Sequence, residues 1–248
     1  MERWKATLYE RYVSSGQVEP RHRSPQALTA RDHPYLQRLI ARHVPPDRDL
    51  RIADLGCGHG TLVFCLRAAG YRNVAGVDVS REQVDVARQL GIEGIAEGSL
   101  QAFLEARRGA LDVVILMDVL EHLTKQEIFD MLAAVRAALR PGGRVIIHAP
   151  NGEGLHGMHI LYGDFTHEVC LTPQSARQIL RATGFDDVAS YEDAPTLHSI
   201  KGVVRFVLWH LLTLPRRLLL FAETGSAKHV LSRNLLVVAH AAGQTGRT

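Results

Sequence analysis

Residues 50–61 read Leu50-Arg51-Ile52-Ala53-Asp54-Leu55-Gly56-Cys57-Gly58-His59-Gly60-Thr61. Apolar Leu50, Ile52 and Ala53 lead into an acid, then into glycines at every second position, and a helical pattern follows. That order describes a buried strand turning sharply into a helix. Glycine has no Cβ, so the backbone can turn tightly there and lie directly against a ligand. Asp54, at the carboxyl end of the strand, selects the charge of that ligand. Its carboxylate repels a diphosphate and attracts an ammonium or sulfonium group. The spacing G-x-G-x-G also departs from the G-x-G-x-x-G of dinucleotide sites.

Outward from this loop, strands and helices alternate. Leu62, Val63 and Leu66 mark a helix that Gly70 stops. A strand over 73–79 contains Asp78, and Ser80 with Gln83 reads as a capping box for the next helix. A short strand near 92–96 and a helix near 99–107 follow. Residues 111–117 are almost continuously apolar, as in a strand covered on both faces. Thr124 with Glu127 caps a helix whose face is Ile128, Leu132, Val135 and Leu139. Pro141-Gly142-Gly143 turns into a strand over 144–149. Thr172-Pro173 opens a helix that ends at Gly184, and strands near 186–191 and 234–240 complete the series. The alternation predicts an α/β fold, a doubly wound and mostly parallel sheet. Ligands of such sheets sit beyond the carboxyl ends of the strands. One crevice should therefore gather 54–60, Asp78, 97–99 and 117–122. Residues 1–49, with a Pro/Arg-rich connection (Pro20, Arg21, Arg23, Pro25), read as an N-terminal helical cap, and 50–248 as the main domain.

The run "ADLGCGHG" resembles motif I of the class I S-adenosylmethionine-dependent methyltransferases. "GVDVS", "MDVLEHL" and "LRPGGRVIIHAPN" resemble that family's later motifs, in order. The resemblance implies a seven-stranded Rossmann-like sheet whose last, antiparallel strand is 234–240. It also implies S-adenosylmethionine as cofactor and S-adenosylhomocysteine as product. Gly56, Gly58 and Gly60 then approach the methionine part, and Asp54 orders that region. Asp78 receives the ribose hydroxyls, a geometry that NAD shares. Val79 packs on the adenine, Gly98 and Ser99 contact it, Glu97 is an acidic neighbour, and Met117, Asp118 and Leu120 line the pocket. Tyr9, Tyr12, Arg31 and Tyr35 are candidates for closing the N-terminal segment over the cofactor, or for ordinary packing. Hydride transfer with NAD is the competing chemistry, and it fits Asp54 and the glycine spacing less well.

Methyl transfer to a hydroxyl needs alignment with the S–CH₃ bond, exclusion of water and a proton acceptor. Two places offer one. The first is Asp118 with Glu121-His122, where His122 is either a catalytic group or a hydrogen-bonded wall residue. The second is the polar segment 151–172, long for a loop inside a compact domain. It carries Asn151, His156, His159, Tyr162, Asp164, Phe165, Thr166, His167 and Glu168. His167 is the preferred base, with Asp164 or Glu168 orienting its ring; an imidazole near pKa ~6.5 is largely neutral at pH 7. No metal ligand set is assigned, because His156, His159, Asp164, His167 and Glu168 follow no zinc spacing. "YGDFTHEVCLTP" resembles a stretch of bacterial methyltransferases of surface-polysaccharide biosynthesis. It implies a sugar or glycan acceptor, with a quinone precursor or natural product as the alternative and a non-catalytic accessory subunit as a third reading.

The 248 residues carry a formal net charge of +3, with 29 basic residues spread along the chain. Without a basic stripe, no nucleic-acid partner is expected. Three cysteines without C-x-x-C, and a polar N-terminus without a signal-peptide core, point to the cytoplasm. The apolar run 203–222 is broken by Arg205, His210, Pro215, Arg216 and Arg217, too short of apolar residues to span a bilayer. It reads as a helix pair that roofs the acceptor pocket or makes a homodimer contact, or as an interfacial membrane segment. Together with 151–172, the region 196–225 is expected to form the acceptor loop and lid.

Overall fold

The computed structural model describes residues 3–10, 33–195, 197, 199–226 and 228–243. Tyr12, Arg31 and the Pro/Arg-rich connection lie outside them, as does the side chain of Tyr9. Two helices come first, α1 (Arg3–Glu10) and α2 (Pro34–His43). Alternation then begins with β1 (Arg51–Leu55), α3 (Thr61–Ala68), β2 (Asn73–Asp78), α4 (Arg81–Gln89), β3 (Ile95–Glu97), α5 (Leu100–Glu105) and β4 (Leu111–Met117). A 3₁₀ turn (Leu120–His122), α6 (Lys125–Ala138), β5 (Leu139–Pro150), α7 (Gly157–Leu161) and α8 (Pro173–Ala182) follow. The chain closes with β6 (Phe185–Glu192), α9 (Ile200–Thr224) and β7 (Asn234–Ala241).

The seven strands form one sheet in the order β3-β2-β1-β4-β5-β7-β6. β1 pairs in parallel with both β2 and β4, and β7 runs antiparallel between β5 and β6. Strand order reverses at β1/β4, the place where a doubly wound sheet opens a crevice. β4 is buried along nearly its whole length, as its unbroken apolar run requires. Each sheet face carries its own core. Leu55, Val114, Leu116, Leu132 and Val237 pack on one side, and Leu39, Ile52, Leu66, Val113 and Ile146 on the other.

Several local expectations need correcting. Ser80 caps α4 without a side-chain hydrogen bond, so the Ser80–Gln83 box does not form. Gln83 Oε1 turns instead to His59 Nδ1 at 3.3 Å. Both capping boxes at later helices are complete, Thr124 with Glu127 and Thr172 with Ser175. The Pro141-Gly142-Gly143 turn is a bulge inside β5: Leu139 already pairs with Leu111, and the register slips before Arg144 meets Val113. Residues 203–222 belong to one 25-residue helix rather than a pair, with Pro215 tolerated inside it. No helix among the described residues is long and apolar enough to cross a membrane.

Candidate active site

At the carboxyl ends of β1, β2 and β4 lies a cavity of about 700 Å³, within the size range of small-molecule sites. β1 delivers Asp54 into it and then breaks at Gly56, where φ is +67°. A Cβ at Gly56 would stand 2.6 Å from Val119 Cγ2, so only glycine lets the loop pass beneath that side chain. The loop is pinned by the neighbouring strand. Gly56 N–H donates to the Val77 carbonyl at 2.8 Å, and Gly58 N–H to Asp78 Oδ2 at 2.7 Å. Asp78 Oδ1 accepts from Ser80 N–H at 2.8 Å. Asp78 thus ties the glycine loop to the start of α4 while facing the cavity.

Asp54, Gly56, Gly58, Asp78, Val79, Ser99, Met117, Asp118 and His122 all line this cavity. Gly60 and Gly98 are not among the residues that line it. Gly60 is the N-cap of α3 in the left-handed region, and Gly98 N–H donates to the Asp78 carbonyl. Tyr35 also lines the cavity, so α2 does close over it. None of the residues of α9 lines this cavity.

The electrostatics fit a cationic ligand. Asp54 is 2% exposed, and burial, helped by the Asp78 charge, pushes its carboxyl up to about 8. A ligand ammonium or sulfonium nearby favours its ionised form. Asp78 is also raised by burial, against the pull of the Ser80 and Gly58 N–H groups. The glycine loop, the buried Asp54 and the cavity-facing Asp78 carboxylate together fit S-adenosylmethionine.

Sequence reasoning missed a charged chain on the opposite wall. Asp118, at a left-handed φ of +55°, presents Oδ1 to His148 Nδ1 at 2.7 Å. His148 Nε2 faces Asp193 Oδ2 at 3.5 Å, and Arg38 of α2 faces Asp193 in turn. Burial alone would lower the His148 pKa; Asp118 and Asp193 outweigh it and hold it near 10. His148, an imidazole inside the apolar run of β5, was the visible signal. Asp193 carried none.

The expected catalytic residues meet with different wiring. Asp164 Oδ1 accepts the Thr166 hydroxyl at 2.7 Å, and Thr166 Oγ1 lies 2.7 Å from His122 Nδ1. Asp164 therefore orients His122, through Thr166, and leaves His167 to the Ile160 carbonyl, 2.9 Å from His167 Nδ1. His167 does not line the cavity and packs against His122 with ring centres 4.8 Å apart and planes inclined at 59°. Burial, then His167, lowers the His122 pKa to about 4. Glu168 points to Lys5 of α1 at 3.3 Å. Asn151 holds the Val230 and Ser232 carbonyls, a structural task, and His156 and His159 are exposed. The five-residue ligand set considered from sequence does not assemble. Among the described residues, Glu121, His122 and His167 bring ligand atoms within 4.8 Å of one another, a trio able to hold a cation. Burial and the Asp118 charge push the Glu121 carboxyl up to about 8, and among the described residues its Oε2 has no hydrogen-bond partner.

Comparison with known proteins agrees with this architecture. The chain is 30% identical over 158 residues to a ubiquinone biosynthesis O-methyltransferase of Roseobacter denitrificans, covering 58% of this chain and 62% of that one. It is 37% identical over 103 residues to the enzyme of that name from Ralstonia nicotianae, covering 38% and 41%. The matches thus span less than two thirds of these relatives. Among solved structures, a SAM-dependent methyltransferase from Archaeoglobus fulgidus superposes with a TM-score of 0.62 at 20% identity, over 83% of this chain and 92% of that one. Phosphoethanolamine N-methyltransferase 2 of Haemonchus contortus, solved with S-adenosyl-L-methionine, gives 0.62 at 16% identity, over 95% and 60%. These two establish the fold. The profile of the family described as "Methyltransferase domain" matches residues 28–190, from before α2 to near the end of β6, and on that match the chain belongs to the methyltransferase-domain family.

Proposed function

We propose that this chain is a S-adenosylmethionine-dependent O-methyltransferase acting on a hydroxyl of a small metabolite, with His122 as proton acceptor. The observation that carries the proposal is the Asp164–Thr166–His122 relay, which ends on the wall of the cavity that the glycine loop floors. When bound, the cofactor supplies an activated methyl group on sulfonium. The protein's part is to place the acceptor oxygen in line, keep water out and take up one proton.

The relay fixes the tautomer. Thr166 gives its hydroxyl proton to Asp164, so its oxygen accepts from His122 Nδ1–H, and Nε2 is left as the basic nitrogen. A low pKa suits this role. The hydroxyl proton becomes strongly acidic once the oxygen has bonded to the methyl carbon, so a weak base receives it downhill. The same low pKa keeps His122 neutral throughout the physiological range.

The names of the curated relatives favour a hydroxylated quinone precursor over a carbohydrate. The names of the relatives reported above do not point to the glycan acceptor implied by the 162–173 resemblance. The discriminating experiment offers labelled S-adenosylmethionine with a short-chain prenylated catechol, and separately with free and lipid-linked sugars. Methylation of the catechol, a gain of one CH₂ in mass, is expected. Turnover of a sugar alone would restore the glycan reading. Binding of S-adenosylhomocysteine without turnover of any acceptor would favour an accessory subunit.

A further inference from the structure

Helix α9 leaves an apolar face in solvent. Ile200, Val204, Val207, Leu211, Leu214, Leu218 and Phe221 recur at alternating steps of four and three, and all are exposed, Ile200 at 86%. Val203, Leu208, Leu212 and Leu219 widen that row, with Leu212 at 75% exposure. In the helix interior the inward side is narrow: only Gly202 and Thr213 are buried. The helix is held to the body by Arg217, which donates to Glu192 Oε1 at 2.6 Å and to the His229 carbonyl at 3.2 Å. Continuous exposed apolar surface of this extent marks an interaction site.

The charges indicate what covers it. Lys201, Arg205 and Arg216 are exposed along one flank of the face, and the helix holds a single acid, Glu223, in its last turn. A second copy laid on this face would set cations against cations. The apolar band is also broader than the two-position seam of a coiled coil, and Pro215 interrupts the regular helix such a seam needs. Leucines on a broad face with arginines on its edge suit an anionic bilayer surface, where apolar residues enter the acyl boundary and long cationic side chains reach the headgroups.

We propose that α9 docks this protein on anionic lipid surfaces, lying in the plane of the headgroup boundary without crossing the bilayer. Its anchor, Glu192, immediately precedes Asp193, a wall residue of the active-site cavity. The proposal stands whichever acceptor the enzyme takes.

The test is sedimentation of the full chain with vesicles of phosphatidylcholine containing 30 mol % phosphatidylglycerol, against pure phosphatidylcholine, at low and high salt. We expect binding to the anionic vesicles at low salt, weakened by salt and by omission of phosphatidylglycerol. Arg205→Gln/Arg216→Gln should lower the partition coefficient by about 30-fold, at roughly fivefold per cation near the surface. Leu211→Glu/Leu218→Glu should abolish binding, with S-adenosylhomocysteine affinity retained as the check on folding. Absence of binding at low salt, or binding that these variants leave intact, overturns the proposal. So does a concentration-dependent dimer in sedimentation velocity that Leu211→Glu/Leu218→Glu dissociates while vesicles bind nothing, which would assign the face to a second copy.

Discussion

His122 Nδ1 lies 2.7 Å from Thr166 Oγ1, and the function proposed above makes that contact the reason His122 is the proton acceptor. His122→Ala should lower kcat by about 10²–10⁴-fold, the usual worth of a positioned proton acceptor. Thr166→Val should lose part of that, because Nδ1–H then lacks its partner. His167→Ala, which removes a ring behind the wall, should cost far less. The pH profile offers a second check: with burial holding the His122 pKa near 4, the acid limb of kcat should fall near pH 4. Activity should also survive EDTA; loss restored by one divalent ion would give Glu121, His122 and His167 a metal-holding role instead.

Asp54 should release a proton when the cofactor product binds. Its carboxyl, raised to about 8, is protonated below that pH in the free protein, and a ligand cation favours the ionised form. Affinity for S-adenosylhomocysteine should therefore rise between pH 6 and pH 7.5. Calorimetry in buffers of different ionisation enthalpy should register the released proton, and Asp54→Asn should remove both the slope and the proton.

The Asp118–His148–Asp193 chain should make the fold less stable in alkali. The His148 pKa is raised in the folded state to about 10 from 6.5, so its stabilisation is complete below pH 6.5 and is lost as pH rises through 10. The Asp118 carboxyl is held low, because His148 outweighs the effect of burial, so its contribution persists until strongly acid pH. Urea midpoints at pH 6 and pH 9.5 should show the decline in the parent protein. His148→Gln should start lower and decline less.

Gly56→Ala tests the loop. A left-handed φ costs an alanine about 1–2 kcal/mol, and its Cβ would press on Val119 as well. At this chain length a loss of that order lowers Tm by roughly 5 °C. S-adenosylhomocysteine binding should fall at least tenfold, because the loop must shift to relieve the contact.

Much of this was legible because local rules and tertiary needs agree. The β4 run from Leu111 to Met117 has one reading, and Thr124 and Thr172 announce their helices through side chains that reach only three residues. The cofactor wall was legible because Asp54, Gly56, Gly58 and Asp78 come from two adjacent strands whose order the alternation dictates. The acceptor side was not. Asp164 could be paired with His167 by proximity in sequence, but the fold brings His122 from after β4 to Thr166 across 44 residues. Asp193 joins the site only because β6 and β7 close the sheet edge and Arg38 reaches from α2. Such contacts join elements far apart in the sequence, and no local spacing in the chain encodes them. The apolar run 203–222 was misleading for a related reason: its composition signalled burial, yet most of its apolar side chains are exposed on one long helix.

The claim beneath all of these is that the 54–60 loop and Asp78 hold S-adenosylmethionine. Isothermal titration of the full chain with S-adenosylhomocysteine, and separately with NAD, tests it most directly. A single site for S-adenosylhomocysteine, weakened at least tenfold by Asp78→Asn, and no heat from NAD is the predicted result. Binding of NAD with none of S-adenosylhomocysteine would contradict it.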